Sequence, residues 1–185
     1  MANDNIGQLN TFRQLLDEEK SIIIPKVQRD FAYGRQEKKV QDVLDGMLTS
    51  IIEAVRDDSS NVLDFVYGGS YVHKSDKKAG LIPLDGQQRL TTLFLLYWYI
   101  INAEFSLEQQ ESINTRECLS KFMYETRTTS TVFCQELASY KVQLGTQKPK
   151  DVIRKAKWYF KSFDRDSTIS AMLTMLDSIH ERYCL

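Results

Sequence analysis

The stretch from Asp85 to Ala103 constrains the fold of this chain more than any other segment. After Arg89 it holds no charged residue, and apolar side chains occupy almost every side of the helix that it would form. Such a helix must be covered by other elements on nearly all sides, so we expect it at the centre of the core. Its apolar run, Leu90 to Ile101, spans about 12 residues, which is too short to cross a bilayer.

The rest of the chain predicts a small sheet followed by helices. Hydrophobic periodicity predicts helices at 8–20 and 36–56, and strands at 21–25, 62–72 and 81–84, the last with Pro83 at an edge or a strand end. From residue 107 the pattern is helical only, with helices near 108–124, 131–140, 151–163 and 168–183. We therefore predict an α+β fold in which a small mixed sheet flanked by helices (1–105) precedes an all-helical extension (106–185). The last three residues include neither a capping glycine nor a polar tail, so we expect a fragment of a longer protein.

Composition favours a cytoplasmic protein and excludes several classes of function. No secretory leader is visible, and three cysteines without a CxxC pair are typical of reduced thiols and give no zinc site. The formal net charge of −1 conceals a basic segment, since residues 121–166 hold ten Lys and Arg against five Asp and Glu. That segment could face a polyanion or simply be a solvated helix face.

The first polar motif, Asp85-Gly-Gln-Gln-Arg89, joins a strand to the central helix. A helix N-terminus offers unpaired N–H groups and a partial positive charge, and Gly86 would let a phosphate approach closely. Arg89 could grip phosphate oxygens, Gln87 and Gln88 could donate or accept hydrogen bonds, and Asp85 could hold a divalent metal or orient a water. The alternative is a capping box, with Asp85 as N-cap and Gln88 three residues on, which needs no ligand.

The second motif, Ile24-Pro-Lys-Val-Gln-Arg-Asp-Phe-Ala-Tyr-Gly-Arg35, follows an earlier strand. It places Gln28, Arg29 and Arg35 beside two aromatic residues, a combination that can bind a triphosphate and stack on a base. The alternative is a surface loop whose arginines pair with nearby acids. Because ligand sites favour the ends of strands next to helix starts, we expect the two motifs to form one joint site.

These two strings resemble the hallmarks of a known family. Leu84-Asp-Gly-Gln-Gln-Arg-Leu-Thr-Thr-Leu93 is similar to the DGQQR signature of the N-terminal domain of GmrSD-type restriction proteins, and residues 24–35 are similar to that family's second hallmark. The Tyr-Glu-Thr-Arg block ending at Arg127, and blocks near 158–160 and 166–180, resemble its helical part. The resemblance covers about residues 20–180.

The resemblance implies a ParB/sulfiredoxin-like core that binds, and in some members hydrolyses, nucleoside triphosphates with Mg²⁺ in defence against phage or modified DNA. It implies that Asp85 to Arg89 form the phosphate and metal side of a pocket, with Asp85 and Arg89 catalytic, and that Gln28 and Arg29 complete it. Arg35 and Arg127 would be further phosphate or DNA contacts, although a salt bridge is the alternative for Arg127. Any DNA cleavage would reside in a C-terminal HNH-type domain outside this chain.

Two functions therefore remain open from the sequence. The first is a domain that binds a nucleoside triphosphate, with hydrolysis, in a restriction system that acts on DNA through the full-length protein. The second is a non-catalytic, ParB-like DNA-binding module, favoured by the basic segment 121–166.

Overall fold

The computed structural model describes residues 8–17, 21–33, 38–57, 63, 65–72 and 79–184. Four strands occur there: β1 (Ser21–Ile24), β2 (Tyr67–Val72), β3 (Ala79–Asp85) and β4 (Phe122–Tyr124). The helices are α1 (Phe12–Asp17), α2 (Lys38–Arg56), α3 (Gln87–Ala103), α4 (Gln110–Leu119), α5 (Thr128–Ser139), α6 (Pro149–Arg154) and α7 (Ser167–Tyr183), with a 3₁₀ helix at Lys161–Arg165.

The four strands form one mixed sheet in the order β2-β3-β1-β4. Strands β2 and β3 are antiparallel, whereas β1 lies parallel to both β3 and β4. Strand β1 lies inside the sheet, between β3 and β4, and its three isoleucines are buried, as expected for an apolar inner strand. The predicted α+β class, with a small mixed sheet and helices, is confirmed.

The prediction of a single helix at 108–124 is wrong in its last residues. Helix α4 ends at Leu119, and Phe122–Tyr124 instead add a fourth strand beside β1. The N–H of Ile22 donates to the carbonyl of Lys121 at 3.1 Å, and the N–H of Glu125 donates to the carbonyl of Ile24 at 2.8 Å. A strand of three residues has no period of its own, so only its partner strand determines its conformation. The division at residue 105 stays a prediction, although β4 shows that the sheet draws on residues beyond it.

Two other boundaries also differ from the prediction. Residues 65 and 66 are not in a strand, since β2 begins only at Tyr67. The helix predicted at 151–163 ends at Arg154, and a 3₁₀ helix follows after a turn. Pro83 lies towards the end of β3, past the residues that pair with β1, so it costs the sheet no hydrogen bond on that side.

Helix α3 occupies the centre of the core, as its sequence predicts. Phe94, Leu95 and Trp98 are fully buried, and the ring of Phe94 stacks on that of Phe122 with centroids 4.7 Å apart. The start of α3 is therefore held rigidly where it follows the sheet. Within the part of the chain that the structure describes, every helix is too short or too polar to span a membrane.

Candidate functional site

The two polar motifs follow neighbouring parallel strands. The second motif begins after β1 and the first after β3, and Ser21 and Ile22 of β1 pair with Gly80 and Leu81 of β3. Because parallel strands run in one direction, their carboxyl ends lie at the same edge of the sheet, and both motifs emerge there. The prediction that the two loops follow strands of one sheet is confirmed.

Glycine 86 makes the turn from β3 into α3. It is the N-cap residue, with a φ of 88° in the left-handed region, and it has no side chain to hydrogen-bond the first helical N–H groups. A Cβ on Gly86 would lie 2.9 Å from Cγ2 of Val66, so the backbone packs closely there. The capping-box alternative is wrong, since the N-cap is Gly86 rather than Asp85 and the start of α3 has no side-chain cap from that residue.

Gln88 binds the other loop instead of capping its own helix. Its Oε1 accepts a hydrogen bond from the N–H of Ala32 at 2.8 Å, and its Nε2 donates to the carbonyl of Asp30 at 3.1 Å. Gln28 makes the reverse connection, because its Nε2 donates to the carbonyl of Pro83 at 3.3 Å. The two motifs are thus joined by amide side chains that each reach the backbone of the opposite segment.

Between the two segments lies a cavity of about 320 Å³. This is near the lower end of the volumes of small-molecule sites, about 300–1,000 Å³. Seven predicted site residues line it, together with one aromatic of the second motif and one strand residue that sequence reasoning did not single out. They are Gln28, Arg29, Asp85, Gly86, Gln87, Gln88 and Arg89, with Tyr33 and Leu84.

Among the described residues, the cavity lining carries two guanidinium groups and one carboxylate. Arg29 is exposed, and no described carboxylate forms a salt bridge with it. Arg89 is more enclosed: its Nη2 donates to the carbonyl of Phe65 at 2.8 Å and lies 3.3 Å from Oδ2 of Asp85. The Asp85 side chain is 66% exposed, so its carboxylate remains accessible from solvent. Net positive charge beside an uncapped helix start favours an anionic ligand.

Gln87 is an almost fully buried residue of the cavity lining. Its side chain is 5% exposed, and among the described residues its Oε1 has no hydrogen-bond partner. A buried amide oxygen without a partner costs about 1–3 kcal/mol, and a ligand that supplies a donor recovers that free energy. The lining therefore fits a polar ligand that combines anionic groups with hydrogen-bond donors.

Comparison with known families adds an independent observation. The model of the GmrSD restriction endonuclease N-terminal domain matches residues 12–183, which include both motifs and the described helices α1 to α7. The chain belongs to this family. It is accordingly a component of a restriction system. A search of the curated proteins found no match.

In this GmrSD N-terminal domain, the structure places Arg127, a further predicted contact, outside the cavity lining. Arg127 pairs with two carboxylates, those of Asp30 at 2.7 Å and Asp166 at 3.1 Å, in agreement with the salt-bridge alternative. It does not line the cavity. Arg35 lies outside the described residues.

The metal prediction concerns Asp85 alone. Among the described residues of the GmrSD domain, no three His, Cys, Asp or Glu side chains are grouped to hold a metal ion without help. Mg²⁺ is commonly held by one or two carboxylates together with substrate phosphates, so a single accessible carboxylate fits that mode of binding.

Proposed function

We propose that the cavity at the start of α3 binds the polyphosphate of a nucleoside triphosphate, and that this restriction-system component hydrolyses it. The observation that carries the proposal is the convergence of Arg29 and Arg89 on one cavity beside an uncapped helix start. Two guanidinium groups and helix N–H groups match the charge and the hydrogen-bond acceptors of a polyphosphate.

The chain's own residues have distinct roles in this proposal. Gly86 lines the cavity at the start of α3, so phosphates bound there lie beside the first N–H groups of the helix, which have no side-chain cap from that residue. Arg29, exposed and without a described carboxylate partner, contacts the terminal phosphate. Arg89 is held by the Phe65 carbonyl and presents a fixed charge to the phosphate chain. Hydrolysis then depends on positioning and charge neutralisation rather than on covalent chemistry.

Asp85 is the residue that supports hydrolysis rather than binding alone. As the single carboxylate among the described lining residues, it would hold Mg²⁺ beside the phosphates or orient the attacking water. Its contact with Arg89 keeps the carboxylate at the cavity mouth. When bound with the nucleotide, Mg²⁺ supplies neutralisation of phosphate charge.

Isothermal titration with ATP, GTP and CTP in the presence of Mg²⁺ tests the binding. A hydrogen bond to a charged group contributes about 1.5–3 kcal/mol, so Arg29→Ala and Arg89→Ala should each weaken binding by about 10- to 150-fold. Arg154→Ala is the matched control, since Arg154 is an exposed arginine paired with Asp164, away from the cavity. No binding by the wild type, or equal affinity in all four proteins, would refute the proposal.

Phosphate release tests the hydrolysis separately. Asp85→Asn should retain nucleotide binding within a few-fold and lose most of the turnover, because it keeps the size of the side chain and removes its charge. If the wild type binds nucleotide and releases no phosphate, alone or with the remainder of the restriction system, the domain is a nucleotide sensor and not a hydrolase.

A second candidate function, a non-catalytic ParB-like DNA-binding module, rests on a different surface. Lys155, Lys157, Lys161 and Arg165 are exposed and lie in the chain within five residues of Phe160, which is itself 56% exposed. Basic side chains around an exposed aromatic ring are typical of nucleic-acid binding surfaces. These five residues form the candidate basic surface, which is only a part of the positive segment 121–166. Elsewhere in that segment Arg127, Lys148 and Arg154 are already paired with carboxylates.

Fluorescence anisotropy with labelled duplex and single-stranded DNA tests this candidate without nucleotide. Binding should weaken steeply between 50 and 200 mM salt, by roughly tenfold or more for three to four phosphate contacts. At one salt concentration, the Lys157→Ala and Phe160→Ala variants should bind DNA more weakly than the wild type. Lys148→Ala is the control and should bind like the wild type. Absence of binding at low salt would end this candidate.

A further inference from the structure

Asp30, the neighbour of Arg29 in the chain, is held from two directions. Its backbone carbonyl accepts from Gln88 on the α3 side, at 3.1 Å. Its Oδ2 accepts from Nη2 of Arg127 at 2.7 Å and from Oγ of Ser167 at 3.0 Å, both in the helical part of the chain. The loop that carries Arg29 is therefore fixed to the sheet region by its backbone and to the helices by its side chain.

The helical end of this connection is itself rigidly anchored. Asp166 is 4% exposed and caps α7, because its Oδ1 accepts from the N–H of Thr168 at 2.9 Å. Its Oδ2 accepts from the hydroxyl groups of Thr129 and Ser130 in the first turn of α5. Nη1 of Arg127 adds an ion pair at 3.1 Å. Arg127 thus spans from a buried, fully bonded carboxylate to the carboxylate of Asp30.

Two charges in this connection, those of Asp166 and Arg127, are stabilised in their ionised forms. Burial alone would raise the pKa of Asp166, but the hydrogen bonds from Thr129, Ser130 and Thr168 and the charge of Arg127 outweigh it and lower that pKa. Although burial opposes it, the two carboxylates together raise the pKa of Arg127. Arg127 and Asp166 therefore stay charged across the physiological range of pH.

We propose that Arg127 is a positioning residue, which locks Asp30 so that the adjacent Arg29 faces the cavity. The inference rests on the proposed function, since the ligand it concerns is the nucleoside triphosphate. Arg127 itself does not touch the ligand, and its effect passes through the loop. Nucleotide affinity accordingly depends on a contact in the helical part of the domain, outside the lining of the cavity.

This role differs from that of an ordinary stabilising salt bridge. Removal of Arg127 leaves Asp166 with three hydrogen bonds and leaves the cap of α7 intact, so the helices should keep their fold. Asp30 would retain only Ser167 among these side-chain partners from the helices. The loss of order should thus concentrate in the loop around Arg29 rather than spread over the whole domain.

Hydrogen exchange without ligand gives the first readout. The N–H of Ala32, bonded to Gln88, and the N–H of Gln28, bonded to the Pro25 carbonyl at 3.0 Å, report on loop order. In Arg127→Ala both should exchange about tenfold faster or more, while amides of α3 and α7 exchange at the wild-type rate. Arg154→Ala is the matched control, with side-chain exposure of 43% against 44% for Arg127 and a carboxylate partner of its own.

Nucleotide affinity gives the second readout. Arg127→Ala should weaken binding about five- to twentyfold, Arg127→Lys should restore part of it, and Arg154→Ala should leave it unchanged. Wild-type affinity in Arg127→Ala, or wild-type exchange at Gln28 and Ala32, would overturn the inference. If Arg127→Ala does not fold, Asp30→Asn breaks the same ion pair from the loop side and must give the same two changes.

The two readouts also separate this inference from the proposed function. If the wild type binds no nucleotide, the proposed function fails and the positioning role fails with it, whatever the exchange rates. If the wild type binds and Arg29→Ala weakens binding while Arg127→Ala does not, the proposed function stands and Arg127 is a structural ion pair only.

Discussion

Replacement of Gln88 by Met tests how the two halves of the site are joined. Methionine keeps the length and approximate volume of glutamine and removes both hydrogen-bonding groups. In the native protein these groups bond the N–H of Ala32 and the carbonyl of Asp30. After the substitution those two backbone groups face an apolar side chain.

The expected loss of stability follows from those two contacts. A buried donor or acceptor left without a partner costs about 1–3 kcal/mol, and both loop groups are only partly buried, so we take the lower end for each. The total is about 2 kcal/mol. With a urea m value of about 2 kcal/mol/M, the unfolding midpoint should fall by about 1 M.

Urea unfolding followed by circular dichroism measures this change, and the N–H exchange of Ala32 shows where it arises. Gln88→Glu is a second variant, which keeps an acceptor for Ala32 but sets a carboxylate oxygen against the Asp30 carbonyl, and it should be at least as destabilising as Gln88→Met. A midpoint within 0.2 M of the wild type, with Ala32 still protected in Gln88→Met, would refute the reasoning.

Three further outcomes are expected. Gly86→Ala combines a left-handed φ with a Cβ 2.9 Å from Val66 Cγ2, and should cost about 2–4 kcal/mol in thermal unfolding, with a cost below 1 kcal/mol contradicting the turn geometry. Because the pKa of Asp166 is lowered in the folded protein, the ionised carboxylate stabilises the fold above its unfolded-state pKa, about 3.9, and this stabilisation is lost as pH falls through the folded-state pKa. The Asp166→Asn variant should therefore be less stable than the wild type at pH 7, and its stability should depend less on pH between 2 and 7. Urea titrations from pH 2 to 7 measure both changes. Cys184 is exposed, whereas burial raises the pKa of the Cys134 thiol. An aromatic disulfide reagent should therefore react rapidly with one thiol in the native chain and with three after unfolding. Rapid reaction of all three thiols in the native chain would disprove the packing.

The sequence predicts the central helix, and the end of the sheet at which the two motifs meet, because the signals for both lie within short segments. The apolar run at 90–101 requires burial on nearly all sides, and the isoleucines of β1 require an inner strand. Both motifs follow strands, so their meeting at one edge depends only on β1 and β3 being parallel neighbours. Because β1 and β3 are parallel neighbours, the two motifs line one cavity.

What the sequence did not predict depends on partners distant in the chain. Strand β4 exists because β1 offers it a free edge, which no pattern within 122–124 indicates. The pairing of Arg127 with Asp30 joins residues 97 positions apart, and the only sequence signal for it was the general alternative of a salt bridge with some acid. Leu84 lines the cavity simply because it precedes Asp85 at the end of β3.

The five residues of the DGQQR motif divide between folding and binding, which explains why their spacing alone was ambiguous. Gly86 provides the turn and Gln88 joins the two loops, and both roles are satisfied without a ligand. Gln87 keeps a buried oxygen without a described partner, and Asp85 and Arg89 leave a carboxylate and a guanidinium at the cavity. A motif that only built the turn would not need Arg89 or a buried amide with an unused acceptor. Arg89→Ala should therefore reduce nucleotide affinity far more than stability, whereas Gln88→Met should reduce both, and the opposite ranking would assign the motif to folding alone.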